Sequence, residues 1–150
     1  MRPWCSPLED PTAERDWVIE QAQALGRTGT VGVLFRRKAD AERFVRARRG
    51  AERLDRDTPL WDARPGIWAA TVYAAKGFEF QSVLIPNLST AWWPDPQAIN
   101  VEGEEEATVG DGRLLYVAVT RARQNLLMTA TGTISELLPD EEGLWVQSKG

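Results

Sequence analysis

The chain has 150 residues, 18 Lys and Arg against 22 Asp and Glu, no His and one Cys, for a formal net charge of −4. That length allows one domain with a buried core, and the ordinary apolar and charged fractions predict a globular chain. The lack of His excludes Ser-His-Asp and Cys-His catalysis and His-ligated metal within the chain, and a lone Cys5 excludes an internal disulfide or cysteine-held zinc.

Residues 1–11, with Pro3, Pro7 and Pro11, predict an irregular lead-in. A helix follows from about Thr12: Trp17, Val18, Ala22 and Leu25 fall at helical spacing, and Gly26 can end it. Residues 30–35 are a short apolar run, a buried strand. Residues 39–49 repeat as a helix, with Ala41, Phe44, Val45 and Arg48 on one face and Arg43, Arg46 and Arg49 on another. Residues 50–66 read as a connection, 67–73 as a second strand, and 81–85 as a third, stopped by Pro86. A long loop is expected over 87–110, carrying Trp92-Trp93-Pro94 and the acidic run Glu102–Glu106. A helix is expected over about 111–121, a fourth strand over 124–130, a short helical turn over 134–138 and a polar tail over 139–150. Strands alternating with helices predict one α/β domain over 1–150, a mostly parallel sheet covered on both faces.

Charge is unevenly placed. Residues 36–56 hold nine basic residues against four acidic ones. A basic face of this kind can track phosphates despite the acidic total, although a charge stripe on a helix is usually a solvated face. Of the tryptophans, Trp17, Trp61 and Trp68 are expected in the core. Trp92 and Trp93 either stack on bases or pack their loop onto the sheet. No apolar run approaches the ~20 residues of a membrane helix, and the N-terminus lacks a signal peptide's apolar region. A chain with one cysteine suits a reducing cytoplasm.

Two segments carry candidate chemistry. The first is Thr71-Val72-Tyr73-Ala74-Ala75-Lys76-Gly77-Phe78-Glu79-Phe80, which follows a strand. Ligands in open α/β sheets bind outside the carboxyl ends of strands, so Lys76, Gly77 and Glu79 could meet a nucleotide or a phosphate chain there. The plain alternative is a surface βα loop with two core phenylalanines. The second segment is residues 113–122, Arg-Leu-Leu-Tyr-Val-Ala-Val-Thr-Arg-Ala. Leu114, Val117, Ala118 and Arg121 share one stripe. Arg121 either caps the terminal carbonyls of its helix or acts as an arginine finger on a transferring phosphoryl group.

These two segments, in this order, resemble the last two signature motifs of UvrD/Rep-type superfamily 1 DNA helicases. The strand Thr30-Val31-Gly32-Val33-Leu34-Phe35-Arg36 resembles an earlier motif of that family. The resemblance implies a RecA-like fold: the second motor domain of an ATP-dependent helicase or translocase, a family associated with DNA repair. It implies Arg121 and Arg36 as the two arginines at the γ-phosphate. It implies Glu79 at the nucleotide ribose, with Gly77 and Lys76 beside it. It also implies Tyr73, Lys76 and Thr71 along single-stranded DNA; Tyr116 reads as structural. The implied cofactors are ATP and Mg²⁺, held mainly by a partner domain with the phosphate loop.

Departures from the family pattern are specific. Tyr73 stands where the family usually has His, Phe78 where it has Leu, and Asp111-Gly112 where it has acidic residues. Residues 49–67 leave no room for the large subdomain many relatives insert there. No Gly-x-x-x-x-Gly-Lys-Ser/Thr loop occurs in these residues. Hydrolysis is therefore not expected from this chain alone. The rival reading is a non-enzymatic module that binds single-stranded DNA or a protein.

Overall fold

The computed structural model describes residues 4–8, 10–48, 50–55, 64–138 and 146–147, with side chains described over 10–48, 50–55 and 64–138. The strands are β1 (Trp4–Leu8), β2 (Thr30–Phe35), β3 (Ala51–Arg53), β4 (Gly66–Thr71), β5 (Phe80–Ile85), β6 (Ala122–Thr131) and β7 (Val146–Gln147). The helices are α1 (Pro11–Gly26), α2 (Lys38–Ala47), α3 (Pro96–Glu102) and α4 (Glu104–Val119). The strands form one sheet in the order β3-β4-β2-β5-β6-β1-β7, and every pairing is parallel.

A parallel sheet needs cover on both faces, which explains the apolar strands. On one face, Val18 and Ala22 of α1 and Ala41 and Phe44 of α2 pack on Val31, Val33 and Phe35. On the other, Leu114, Leu115 and Ala118 of α4 pack with Leu34, Trp68, Phe80 and Val83. The period-2 alternation of β2 divides its side chains between these two cores. Gly32 faces α4, and a Cβ there would lie 2.6 Å from the buried Phe80 ring. Only glycine lets that ring cross the strand.

Three expectations are corrected. Residues 4–8 lie not in an irregular lead-in but in β1, between β6 and β7. Pro7 obscures that strand in the sequence, yet among the described residues β7 pairs with Trp4 and Cys5 and not with Pro7. The expected loop over 87–110 contains α3 and the start of α4. Asp95 caps α3 by accepting from Gln97 N (2.9 Å), with Pro96 in its first turn. Glu104, Glu105 and Glu106 form the first turn of α4, where carboxylates suit the helix dipole. The connection over 50–66 contains edge strand β3.

Trp68 and Trp93 are buried and Trp17 is partly buried, while Trp61 lies outside the described residues. Arg43 and Arg46 are exposed, the solvated face that the helical pattern allowed; Arg49 lies outside the described residues. Tyr116, read as structural, is 71% exposed. Buried Glu14 of α1 accepts from Asn87 N (2.9 Å), Thr129 Oγ1 (2.6 Å) and Thr131 Oγ1 (2.8 Å) and so ties α1 to β6. No helix among the described residues is long and apolar enough to cross a membrane.

Candidate functional site

All strands run the same way, so the sheet has a carboxyl edge and an amino edge. The segment between β4 and β5 spans both in eight residues, 72–79. Thr71 starts its turn: the Thr71 hydroxyl accepts from Ala74 N (3.1 Å) and the Thr71 carbonyl accepts from Ala75 N (3.1 Å). Ala74 and Ala75 point inward, while Tyr73 and Lys76 share the exposed side. Gly77 has φ 90°, which favours glycine, and it redirects the chain into β5. Tyr73 thus stays near the carboxyl edge, whereas Gly77 and Glu79 reach the amino edge. The expectation that Lys76, Gly77 and Glu79 meet a ligand at the carboxyl ends is corrected for Gly77 and Glu79. The crossover is so short that the motif itself is the crossover.

Arg121 is also at the amino edge, between α4 and β6. Its Nε donates to the Val117 carbonyl (3.2 Å) and its Nη2 to Thr120 Oγ1 (3.2 Å). It therefore caps the helix, as the plainer reading expected. Those bonds engage only two of a guanidinium's five N–H donors. The rest of the side chain lines a cleft of about 770 Å³ with Gly77, Glu79, Gln81, Arg123 and Gln124, walled by Thr28, Gly29 and Pro65. Gly77, Glu79 and Arg121 therefore converge, although they come from segments far apart in sequence.

Arg36 does not join them. It follows β2 at the carboxyl edge, where its Nε and Nη2 each donate to Asp111 at 3.1 Å. Its Nη1 lies 3.9 Å from Asp95, and its guanidinium sits 5.7 Å from the Tyr73 ring centre. Asp111 and Arg121 stand about 15 Å apart along α4 at the helical rise per residue. Arg37 bonds Asp95 twice and lies 5.0 Å from the Trp92 ring centre. The Asp95 N–H donates to Asp111 Oδ2 (2.8 Å), so two arginines and two buried aspartates close one network.

Sequence reasoning missed Asp95, Asp111 and Arg37. One signal was present: Asp111 shares the 111-114-115-118 stripe with three buried apolar residues, and a carboxylate there demands a cation.

The network shifts its members' titration. Burial opposes the Arg36 charge, but the hydrogen bonds and charge of Asp111 outweigh it and raise its pKa. The Arg37 hydrogen bond holds Asp95 below its ordinary pKa against the cost of burial, helped by Gln97 N–H. A depressed carboxylate pKa stabilises the fold above its unfolded value, about 3.9, and that stability is lost as pH falls through the lower folded value. Asp95→Asn should flatten the acid limb of a stability–pH curve below about pH 4. An acid limb identical to the parent's would count against this role.

The cleft suits a polyanion. It presents Arg121 and Arg123, with one carboxylate, Glu79, already paired to Arg123 at 2.9 Å. That donor set does not suit Mg²⁺, and no group of three or more His, Cys, Asp or Glu side chains placed to hold a metal occurs among the described residues. A smaller cavity of about 200 Å³ lies at the carboxyl edge between α1 and α2, lined by Glu14, Phe35 and Phe44, among others, and by no residue of the 71–80 or 113–122 segments.

Residues 55–133, more than half of the chain, match the family model described as the UvrD-like helicase C-terminal domain. The chain belongs to that family. The domain is 37% identical over 68 residues to the ATP-dependent DNA helicase PcrA of Staphylococcus aureus, covering 45% of this chain and 9% of that protein. It is 34% identical over 77 residues to a probable DNA helicase II homolog of Mycoplasma genitalium, covering 51% and 11%. The chain thus spans about a tenth of the curated relatives it matches. The C-terminal domain of a possible DNA helicase from Lactobacillus plantarum shares its fold, with a TM-score of 0.70 at 22% identity over 97% of this chain and 84% of that one.

Proposed function

We propose that this UvrD-like domain is the second half of an ATP-driven DNA motor, completing a nucleotide site whose phosphate loop is on another domain. The observation that carries this reading is the meeting of Arg121, Glu79 and Gly77 in one cleft at the amino edge. In this reading Arg121 places a fixed cation on the γ-phosphoryl group as charge builds there. Its anchorage on Val117 and Thr120 reduces the reorganisation needed at that moment. Glu79 accepts from a ribose hydroxyl. ATP and Mg²⁺ are held chiefly by the partner domain, in keeping with the donor set of this cleft.

Arg36 enters the proposal as a brace of α4, because Asp111 already occupies its fork. Tyr73, with Lys76 on the same exposed side, meets single-stranded DNA. A short eight-residue segment then joins the DNA contact to the nucleotide contact, so closure around ATP moves both together.

Nucleotide-dependent closure provides the test. A cysteine at exposed cleft residue Thr28, with Cys5 changed to Ser, should crosslink to the phosphate-loop domain when a non-hydrolysable ATP analogue is added. Crosslinking that ignores the analogue would remove the case for a shared site.

A further inference from the structure

Arg123 lies beyond Thr120-Arg121-Ala122 and neither motif assigns it a task. Its Nε donates to Glu79 Oε2 at 2.9 Å, and both side chains line the cleft with Arg121. The next residue, Gln124, accepts from Gln81 Nε2 at 2.9 Å. Consecutive strand residues normally point to opposite faces, whereas Glu79 and Gln81 flank Phe80 on one side. Both pairs can form only because the ladder is irregular here. Phe80 pairs with Ala122 and Ser82 with Asn125, so β6 carries one extra residue opposite Gln81. Such a bulge re-aims a side chain, and here it delivers Arg123 and Gln124 to the same cleft.

We propose that Arg123 is a positioning residue that presets Glu79 for a nucleotide sugar. The inference rests on the reading of this cleft as the nucleotide face. Glu79 is half exposed and, unheld, would lose rotamer freedom when it bound a ligand. Arg123 removes that freedom beforehand by fixing Oε2, and leaves Oε1 to accept from a ribose hydroxyl. It also balances the Glu79 charge, which would otherwise repel the triphosphate. Arg123 therefore acts on affinity and sugar choice rather than on the chemical step.

The test uses the motor assembled from this domain and its phosphate-loop domain, with ATP and 2′,3′-dideoxyATP as substrates. Arg123→Ala should raise the KM for ATP about fivefold, with kcat changed less than about twofold, from the freed side-chain entropy. It should also shrink the preference for ATP over the dideoxy analogue, and Arg123→Lys should recover part of both. Arg123 is exposed, so the melting temperature should not move. If Glu79→Ala alters KM and sugar preference while Arg123→Ala alters neither, the positioning role is wrong and the nucleotide face stands. A lower KM in Arg123→Ala would mean competition with the sugar and would also overturn it. If Glu79→Ala and Arg121→Ala both leave turnover unchanged, the nucleotide face itself is wrong.

Discussion

Arg121→Ala, in a motor assembled with the phosphate-loop domain, is expected to lower DNA-stimulated ATP turnover about 10³-fold. The size follows from the proposed place of the guanidinium at the γ-phosphoryl group. Charge accumulates on the γ-phosphoryl oxygens only in the transition state, so loss of a fixed cation there lowers kcat more than it raises KM. The side chain also bonds the Val117 carbonyl and Thr120. Losing those partly exposed bonds costs about 1 kcal/mol, which lowers the melting temperature of a chain this size by about 2–4 °C. The expected result is a folded domain with a silent motor. Arg121→Lys should fall between, because Lys keeps the charge without the planar fork. Full turnover in Arg121→Ala would refute the finger and leave the helix cap as the residue's whole role.

Asp111→Ala should produce the opposite pattern: a large loss of stability whose effect on turnover follows from unfolding. Asp111 is buried on α4, holds Arg36 through two bonds, and accepts from the Asp95 N–H. Removing it leaves a partly buried guanidinium without its hydrogen-bonded partner and with only Asp95 at 3.9 Å, at a cost of about 3–5 kcal/mol. For a domain of this size that is a fall of about 10 °C in melting temperature. The double variant Arg36→Met with Asp111→Leu should be clearly more stable than Asp111→Ala, because no unpaired charge remains. A change below about 1 kcal/mol in chemical denaturation of Asp111→Ala would show that the pair does not brace α4. The same comparison separates the two arginines. Arg36 should behave as a structural residue and Arg121 as a functional one.

How much was legible depended on whether a residue's partners were near in sequence. Val31, Val33 and Leu34 announce a buried strand by their own pattern, as Val18 and Ala22 announce a helix face. The parallel α/β fold follows from such local signals. β1 was hidden because Pro3 and Pro7 outweigh three apolar residues, while its pairing with β6 joins distant parts of the chain. α3 and the start of α4 were hidden by composition: Pro, Gly and Glu read as loop, although Asp95-Pro96 is a helix-start signal. That Arg121, Gly77 and Glu79 line one cleft agrees with the motif order. The edge they occupy was not legible, because a connection of only eight residues, six of them in turns, carries the chain across the sheet. Arg36 was assigned to the same site because position in a motif does not reveal a partner 75 residues away. The partner of Arg123 lies 44 residues away, and the single inserted residue that turns Gln124 into the same cleft leaves no mark on one strand's sequence.

In the proposed motor the amino-edge cleft faces the nucleotide. The most direct measurement is a crystal structure of the assembled motor with a non-hydrolysable ATP analogue. The expected result is an Arg121 guanidinium nitrogen about 2.7–3.0 Å from a γ-phosphate oxygen, with Glu79 at hydrogen-bond distance from the ribose. An analogue bound between the domains with Arg121 still confined to Val117 and Thr120, and the cleft facing solvent, would contradict it.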